Sequence, residues 1–396
     1  MVQIPRILGI SAASFLIFIP TSVAGQDSSA DLLWKSFQET YRAFSIKPLD
    51  SGELDTRAKE ALIKVSGPRF GTWKAGDKKD LHELVAAMVE KDDSLSEFER
   101  VEMALQALLP EIDGYGKYQS ASDVAQLSEA LKQGGGSVHM TLDNSQDGET
   151  LCFPYEGGPA QLAGIGNGAQ LLEVDGRSAK GESLHALRLA FVGPPDTEIE
   201  LKVRQPHGKI EVFKIMRTSK RFPNVSVENS PLGVTLRIRK FENDTGSQVK
   251  EAMQANAEPK RLTIDLRGNP GGLRDEALKV ASLFFPKGTV LATFTTQSGV
   301  QTATDGNGTL ISPGAIRIIQ DGRTASAAEY LVAALKEGLP EITTVFGEKS
   351  YGKSHSTALL SLSGGGQISV TEALLATGSG VSWDKTGIEP DHVSAE

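Results

Sequence analysis

The chain has 396 residues, enough for two or three domains that each bury a core of their own. A hydrophobic fraction of 39% and a charged fraction of 23% are typical of a soluble globular protein. The net charge of −9 argues against the basic surface that proteins use to bind nucleic acid or anionic lipid. The single cysteine, Cys152, has no internal disulfide partner and is predicted to be a small buried hydrophobe.

The first predicted element is a secretory signal peptide over residues 1–24. Arg6 precedes an apolar segment, residues 7–19, and small residues follow as far as Ala24, as a signal peptidase requires. The apolar segment is too short to span a bilayer comfortably. We therefore expect a periplasmic or secreted protein, with an uncleaved membrane anchor as the alternative.

Residues 25–115 are predicted to form a helical N-terminal region, because apolar residues recur at helical spacing. The recurring positions are Leu32, Leu33, Phe37, Tyr41 and Phe44, then Leu81, Leu84, Val85 and Met88, and then Phe98, Val101, Ala104, Leu105 and Leu108. Asp77 and either Ser94 or Ser96 are predicted helix caps. Since nothing here carries chemistry, we expect a structural, lid or dimerisation role.

Residues 116–220 begin with a short predicted helix at 124–131 and then change to strand periodicity. Val138, Met140 and Leu142 alternate with polar residues, and the dipeptide at 147–148 predicts a hairpin turn. Further predicted elements are strands at 150–155, 170–176 and 198–203 and a helix at 183–187. In this order, residues 134–217 resemble a PDZ domain of the circularly permuted type found in bacterial proteases.

The PDZ resemblance implies capture of an extended peptide, usually a C-terminus, as an added strand whose carboxylate is held by loop amides. The residues that match the carboxylate loop and first strand are Gly136, Ser137, Val138 and Met140. Relatives usually have glycine at the position of His139, and an acidic residue where Ala169 follows Gly168, so the tail preference is open. The alternative is a PDZ-like module that only holds the domains together.

Residues 221–396 have the pattern of an α/β core. A predicted strand at 262–266 leads through a glycine-rich turn, 267–272, into a helix at 273–283. The turn lacks the Lys-Ser/Thr of a nucleotide-binding loop and the spacing of a dinucleotide fingerprint. A second strand, 315–319, leads to Ser326 at the start of an alanine-rich helix, where unpaired amides stabilise developing negative charge. The alternative is that Thr324 or Ser326 merely caps the helix.

Four motifs occur in one order along this region, at 265–272, 324–329, 351–353 and 386–391. Together with the PDZ-like segment they resemble the carboxyl-terminal processing proteases, also called tail-specific proteases, from about residue 115 onward. The resemblance implies a multidomain α+β fold whose protease core is a crotonase-like α/β spiral of ββα units. It also implies a serine endopeptidase acting on protein or peptide substrates without metal or other cofactor.

By this resemblance Ser326 is the nucleophile, Lys353 the general base, and the amides of Gly271 and Ala327 the oxyanion hole. A lysine near its reference pKa cannot take a proton at neutral pH, so the fold must bury Lys353. Relatives commonly have an orienting glutamine four residues after the lysine, where this chain has Thr357. The orienting role therefore falls to Thr357 or passes to a neighbour, and His355 is the alternative base.

Two further hypotheses remain open from the sequence. The first is a catalytically impaired PDZ scaffold that binds protein tails without cleaving them, which the replacement at Thr357 motivates. The second is a structural envelope protein that neither binds tails nor cleaves. An adaptor protein and a homo-oligomer are possible partners of the enzyme.

Overall fold

The computed structural model describes residues 29–393, apart from 68–69, 71, 133–134, 145–148, 156, 183, 221, 305–307, 309 and 364–365. The predicted signal peptide, 1–24, and the predicted turn at 147–148 lie outside the described residues. The chain divides into two compact units. Unit 1 combines Met1–Tyr118, Pro223–Gly364 and Ile368–Glu396, and unit 2 combines Gln119–Phe222 with Gly365–Gln367.

The helices and strands are numbered along the chain. The helices are α1 (Ser29–Phe44), α2 (Ser51–Val65), α3 (Leu81–Lys91), α4 (Glu97–Ile112), α5 (Ala121–Lys132), α6 (Pro159–Leu162), α7 (Leu184–Phe191), α8 (Thr245–Met253), α9 (Arg274–Ser282) and α10 (Ala327–Gly338). The first nine strands are β1 (Lys117–Gln119), β2 (Gly136–Ser137), β3 (Met140–Asn144), β4 (Thr150–Pro154), β5 (Ala169–Val174), β6 (Arg177–Ser178), β7 (Val192–Gly193), β8 (Glu198–Arg204) and β9 (Ile210–Met216). The others are β10 (Val225–Ser230), β11 (Gly233–Ile238), β12 (Leu262–Asp265), β13 (Val290–Thr296), β14 (Gly299–Thr304), β15 (Ile316–Gln320), β16 (Thr343–Gly347), β17 (His355–Ser361) and β18 (Gln367–Thr377).

The N-terminal region is helical, and its helices start at identifiable caps. The carboxylate of Asp50 accepts the amide of Glu53 at the start of α2, and that of Asp80 accepts the amide of Glu83 at the start of α3. Ser96 caps α4. Of the predicted caps, Ser96 is thus correct, whereas Asp77 closes a short 3₁₀ turn before α3 and caps no α-helix.

The predicted N-terminal region does not have a core of its own. Its buried apolar residues pack in one cluster with side chains of the last two strands, namely Leu360, Leu362, Ile368 and Val370. Asp113, just after α4, accepts the amide of Thr371 at 2.6 Å and its hydroxyl at 2.8 Å. The helices and the end of the chain therefore fold as parts of unit 1.

The central sheet of unit 1 has the strand order β10-β11-β12-β15-β16, parallel except for the edge strand β10. Ile264 and Ile318 are fully buried, as expected for a parallel sheet covered by helices. Helices α9 and α10 follow β12 and β15, so the predicted strand–turn–helix order at both turns is confirmed. Because parallel strands end at the same edge, the two turns lie side by side.

A second sheet of unit 1 has the order β1-β18-β13-β14, and β17 pairs with β18. No strand was predicted for β13, β14, β17 or β18. Unit 2 contains a sheet in the order β3-β4-β5-β8-β9, with β6 paired to β5, and a short pair, β2 and β7. Cys152 is buried in this unit as predicted, and burial raises the pKa of its thiol to about 12. Among the described helices, none is long and apolar enough to cross a membrane.

Candidate active site

Ser326 is the residue immediately before α10, and its backbone is strained. It has φ 56° and ψ −118°, a conformation that residues other than glycine rarely adopt. The amide of Ala327 opens the first turn of the helix, where no carbonyl of the helix can accept it. A half-buried hydroxyl therefore lies beside a helix amide that is free to stabilise negative charge.

The two turns that follow β12 and β15 are bonded to each other. The amide of Ala325 donates to the carbonyl of Asn269 at 3.0 Å, and the hydroxyl of Thr324 donates to the carbonyl of Leu266 at 3.0 Å. The amide of Gly268 donates to the carboxylate of Asp321 at 2.9 Å. Thr324, an alternative helix cap, serves this contact between the turns. The glycine-rich turn is thereby fixed against the segment that carries Ser326.

Gly271 approaches the Ser326 segment so closely that a side chain would not fit. Its φ is +93°, and an added Cβ would lie 2.6 Å from the carbonyl oxygen of Ala325 and 2.8 Å from the amide nitrogen of Ala327. The amide of Gly271, however, donates to the side chain of Asn269 at 2.8 Å. Of the two predicted oxyanion donors, Ala327 is therefore available in this conformation and Gly271 is occupied.

Glu329 joins the Ser326 segment to the Lys353 segment. Its side chain is fully buried in the first turn of α10. One carboxylate oxygen accepts the amides of Ser326 and Lys353, each at 2.8 Å. The other accepts the hydroxyl of Ser350 and the amide of Gly352, both at 2.6 Å. The two predicted catalytic residues are thus anchored, through their backbones, to one carboxylate oxygen.

The last of the four sequence motifs supports the same carboxylate. The amide of Ile388 donates to the hydroxyl of Ser350 at 2.7 Å, and that hydroxyl in turn donates to Glu329. An added Cβ at Gly387 would lie 2.4 Å from the carbonyl oxygen of Ser350. The motif near the end of the chain therefore positions the loop before Lys353.

Lys353 has an environment that favours the neutral amine. Burial is the main cause that lowers its pKa, the positive charge of Lys117 lowers it further, and Glu329 opposes both. Its carbonyl accepts the indole N–H of Trp383 at 3.2 Å, which fixes the backbone from the other side. A lowered pKa is what the predicted role as general base requires.

Tyr115 lies next to Lys353 and was not predicted. The lysine Nζ is 5.2 Å from the centre of the Tyr115 ring, and that ring is 4.4 Å from the ring of His355. His355 Nδ1 lies 2.8 Å from a carboxylate oxygen of Asp384, without the alignment of a hydrogen bond. Burial lowers the pKa of His355, and Asp384 opposes that effect. These residues form a layer, Asp384, His355 and Tyr115, that ends at the lysine amine.

Thr357 does not take the orienting role that was predicted for it. Its side chain is exposed on β17, and among the described residues it makes no hydrogen bond. The hydroxyl of Ser356 donates to Glu372 at 2.9 Å. Alternation places Thr357 on the same face of β17 as His355 and Leu359, and at Thr357 and Leu359 this face is exposed to solvent. Of the neighbours considered, His355 is the one that contacts the Lys353 environment, through Tyr115.

The predicted peptide-binding residues lie in unit 2 and differ in their availability. Gly136 pairs with Gly193, and the amide and carbonyl of Ser137 are both bonded to Thr218. Val138 is buried, and its carbonyl accepts an amide of α6. Met140 begins β3, an edge strand of the sheet of unit 2. The part of this segment that remains open to a ligand is therefore the edge of β3.

Glu329 and Tyr115 are the two residues that the sequence analysis missed. An acidic residue in the first turn of a helix has an ordinary explanation as a capping partner, so Glu329 gave no distinct signal. Tyr115 precedes unit 2 in the chain, and only the fold brings it to Lys353. Among the described residues there is no group of three or more His, Cys, Asp or Glu side chains that could hold a metal ion.

Comparison with known proteins agrees with this geometry. Residues 234–394 match the model of peptidase family S41. The chain is 28% identical over 293 residues to a probable CtpA-like serine protease of Staphylococcus aureus, covering 73% of this chain and 58% of the relative. It is also 28% identical over 304 residues to the carboxy-terminal-processing protease of Bartonella bacilliformis, covering 74% and 69%.

A solved structure, that of a photosystem II D1 C-terminal processing protease, has the same fold. It superimposes with a TM-score of 0.68 at 20% identity over 93% of this chain and 94% of that one. The chain therefore has the fold of this protease structure. Through residues 234–394 the chain is similar to peptidase family S41. It spans 58% of the length of the staphylococcal relatives.

Proposed function

We propose that the protein is an exported serine endopeptidase that cleaves protein substrates with a Ser326–Lys353 dyad. The observation that carries the proposal is the shared carboxylate oxygen of Glu329, 2.8 Å from the amides of both residues. It tethers a strained serine and a lysine of lowered pKa, which come from distant parts of the sequence, to one point.

The reaction begins when neutral Lys353 accepts the proton of the Ser326 hydroxyl as the oxygen attacks the scissile carbonyl. The amide of Ala327 then donates to the negative oxygen of the tetrahedral intermediate. The C–N bond breaks as Lys353 returns the proton to the leaving amine, and water hydrolyses the acyl-enzyme. For Gly271 to act as second donor, its N–H exchanges Asn269 for this oxyanion.

The ring of Tyr115 takes the role beside Lys353 that was predicted for Thr357. When Lys353 accepts the serine proton it becomes a cation, and a cation over an aromatic face is stabilised by the electrons of the ring. Since that charge develops only as the reaction proceeds, the contact favours the transition state over the ground state. His355, which lies beside Asp384, packs against the same ring.

Unit 2 is the PDZ domain of this proposal, and unit 1 contains the crotonase-like core. Tail capture is supported by the position of β3 at the edge of its sheet, where an added strand can pair, and by the helix α7 that packs beside it. The C-terminal tail of the substrate adds to β3 as a further strand. An adaptor protein and self-association are compatible with this function.

A second candidate is a scaffold that binds tails without cleaving them. The observations that favour it are the occupied amide of Gly271 and the exposed position of Thr357. Both concern parts of the machinery on which hydrolysis depends. The intact arrangement of Ser326, Glu329 and Lys353 favours the peptidase.

The test is cleavage of casein and of peptides with free C-termini by the purified wild type, Ser326→Ala and Lys353→Ala. We expect the wild type to cleave and both variants to lose activity by at least about a thousandfold. A wild type as inactive as the two variants, yet able to bind tail peptides, would establish the scaffold instead. Inactivity together with no binding would rule out both functions.

A further inference from the structure

On the side of β3 that faces away from β4, the hydrogen-bonding groups can be identified from the register of the strand. Met140 faces Pro154 and Leu142 faces Cys152 across the antiparallel pair with β4. The amide of Tyr155 donates to the carbonyl of His139 at 2.8 Å. The facing pair of His139 and Tyr155 is therefore a hydrogen-bonded pair. Hydrogen-bonded and non-hydrogen-bonded pairs alternate in antiparallel sheets. The backbone groups of Met140 and Leu142 therefore point away from β4.

One of these groups is already taken by an arginine. The guanidinium of Arg188, on α7, donates to the carbonyl of Leu142 at 2.6 Å. Arg188 is exposed, whereas Leu142 is buried. In the described part of unit 2, no strand occupies this side of β3. A positive side chain of α7 thus donates to an acceptor that an added strand would use.

The spacing of the two outward residues fixes where a ligand would meet this arginine. A peptide that adds antiparallel to β3 pairs with Met140 and Leu142 through two of its own residues that are two positions apart. Its C-terminus lies at the start of β3, beside the loop of residues 136–139. The ligand residue opposite Leu142 is then two positions upstream of the one opposite Met140.

We propose that Arg188 selects substrate tails that carry an acidic side chain two residues before the C-terminal residue. This inference rests on the proposed tail capture by unit 2. The amide of the incoming peptide replaces Arg188 at the carbonyl of Leu142, and the released guanidinium pairs with the ligand carboxylate. A carboxylate is the partner that a guanidinium binds best, through two parallel N–H donors.

Tails with a neutral or basic residue at that position are disfavoured for the same reason. The peptide amide still displaces Arg188, but the guanidinium then exchanges a carbonyl for water or faces a like charge. Through its contact with Leu142, Arg188 therefore discriminates between tails by the charge of this one side chain. Since the pair is partly exposed, we expect a moderate effect, about three- to tenfold in Kd.

The experiment measures fluorescence polarisation of labelled peptides with the full chain carrying Ser326→Ala, which prevents cleavage. The peptides are identical except at the position two residues before the C-terminal residue, which is Glu, Ala or Lys. A further peptide carries the Glu one position closer to the C-terminus and tests the register. Arg188→Ala, Arg188→Glu and the control Arg204→Ala are compared, because Arg204 is an exposed arginine of the same unit that bonds Gln170.

We expect the Glu peptide to bind the Ser326→Ala protein and the Arg204→Ala control about three to ten times more tightly than the Ala peptide. Arg188→Ala should bind both equally, and Arg188→Glu should prefer the Lys peptide. Two results overturn the inference and leave tail capture intact. In the first, Arg188→Ala still prefers the Glu peptide; in the second, the Ser326→Ala protein binds tails without preferring the Glu peptide. Absence of binding by every peptide overturns tail capture itself, and unchanged thermal unfolding of the variants excludes misfolding as the cause.

Discussion

At the scale of single residues, the site depends on one buried carboxylate. Glu329 is fully buried and accepts four hydrogen bonds, from three amides and one hydroxyl. A carboxylate can satisfy all four donors because both of its oxygens are acceptors. Any neutral replacement of the same shape lacks that capacity. The chemistry of the side chain, more than its size, is therefore what the position requires.

Replacement of Glu329 by glutamine keeps the size of the side chain and changes its hydrogen-bonding chemistry. One end of the glutamine amide is a donor and would face two donors, so at least two buried hydrogen bonds are lost. We expect Glu329→Gln to lower the free energy of unfolding by about 2–4 kcal/mol and kcat/KM by about a hundredfold. Urea denaturation and peptide cleavage measure the two effects. The control is Glu337→Gln, an exposed carboxylate on the same helix, and equal losses in both variants would contradict the assignment.

The pH dependence of cleavage should follow the neutral form of Lys353. Its lowered pKa means that more of the amine is neutral at a given pH, so kcat/KM rises with pH through that pKa and then levels off. Lys117→Gln removes a positive charge that lowers this pKa. We therefore expect the rise to move to higher pH and the rate at neutral pH to fall.

A matched control for this prediction is Lys349→Gln, which removes an exposed lysine that is paired with Glu389. It should leave the pH profile where it is. The difference between Lys117→Gln and the wild type should also shrink as salt is added, since salt screens exposed charges. A profile unchanged by Lys117→Gln at low salt would show that another group limits the rate.

The ring of Tyr115 should matter more than its hydroxyl. Tyr115→Phe keeps an aromatic face under the amine and should retain most of the activity. Tyr115→Leu removes that face, and we expect kcat to fall about tenfold, corresponding to about 1–2 kcal/mol of cation stabilisation. Loss of the face also lowers the pKa seen in the pH profile, which a purely structural role would not do. Equal losses in both variants would instead assign a function to the hydroxyl.

Sequence reasoning found the residues with a chemical signature and missed those whose role depends on position. Ser326 and Lys353 stand in motifs with a recognisable spacing, and the structure ties both to Glu329. Tyr115 carries no motif, and its contact with Lys353 exists only after the fold brings together distant segments. Thr357 was assigned by analogy with a glutamine, and the direction of a strand side chain decided otherwise.

At the scale of elements, the close approach of two turns builds the site. The strand–turn–helix order of both segments followed from apolar runs, glycine-rich turns and an alanine-rich helix. The strands β13, β14, β17 and β18 were not predicted. β13, β14 and β17 have exposed residues, and β18 alternates between buried and half-buried residues, so none of them gives the continuous apolar pattern of the central sheet. Their existence depends on pairing with one another.

The contact between the two turns can be tested at Gly271. An alanine there is strained by the positive φ and would also collide with the Ser326 segment. We expect Gly271→Ala to lose at least about a hundredfold in kcat/KM and about 2–4 kcal/mol of stability. Gly288 has a similar φ, +89°, but nothing within 4 Å of an added Cβ. Gly288→Ala should therefore cost only about 1 kcal/mol and no activity, and a comparable loss of activity there would contradict the collision argument.

At the scale of the whole molecule, the chain is expected to act outside the cytoplasm after losing its first 24 residues. A signal peptidase requires small residues near its cut, and Ser22 and Ala24 satisfy this. We expect N-terminal sequencing of the protein from the envelope or periplasmic fraction to begin at Gly25. Ala24→Leu should leave the precursor uncut and membrane-associated. A wild-type protein that retains Met1 in the cytoplasmic fraction would contradict export.

The division of the chain into two compact units was the hardest feature to predict. Helical periodicity identified residues 25–115 as helical but could not reveal that Leu360 and Val370 complete their core. The predicted boundary between residues 115 and 116 lies close to the start of unit 2 at Gln119, and the helix α5 precedes the strands of this unit. Local patterns thus mark where elements begin, whereas the partners of an apolar face are decided by the rest of the chain.

The shared core of helices α1–α4 and the final strands has a consequence during synthesis. As the nascent chain leaves the ribosome, these helices emerge first, and their apolar faces stay uncovered until β17 and β18 follow. Tyr115 and Lys353 meet only at that late stage. A newly made molecule therefore leaves these apolar faces uncovered until its last strands are available, and the proposed Ser326–Lys353 site is complete only then.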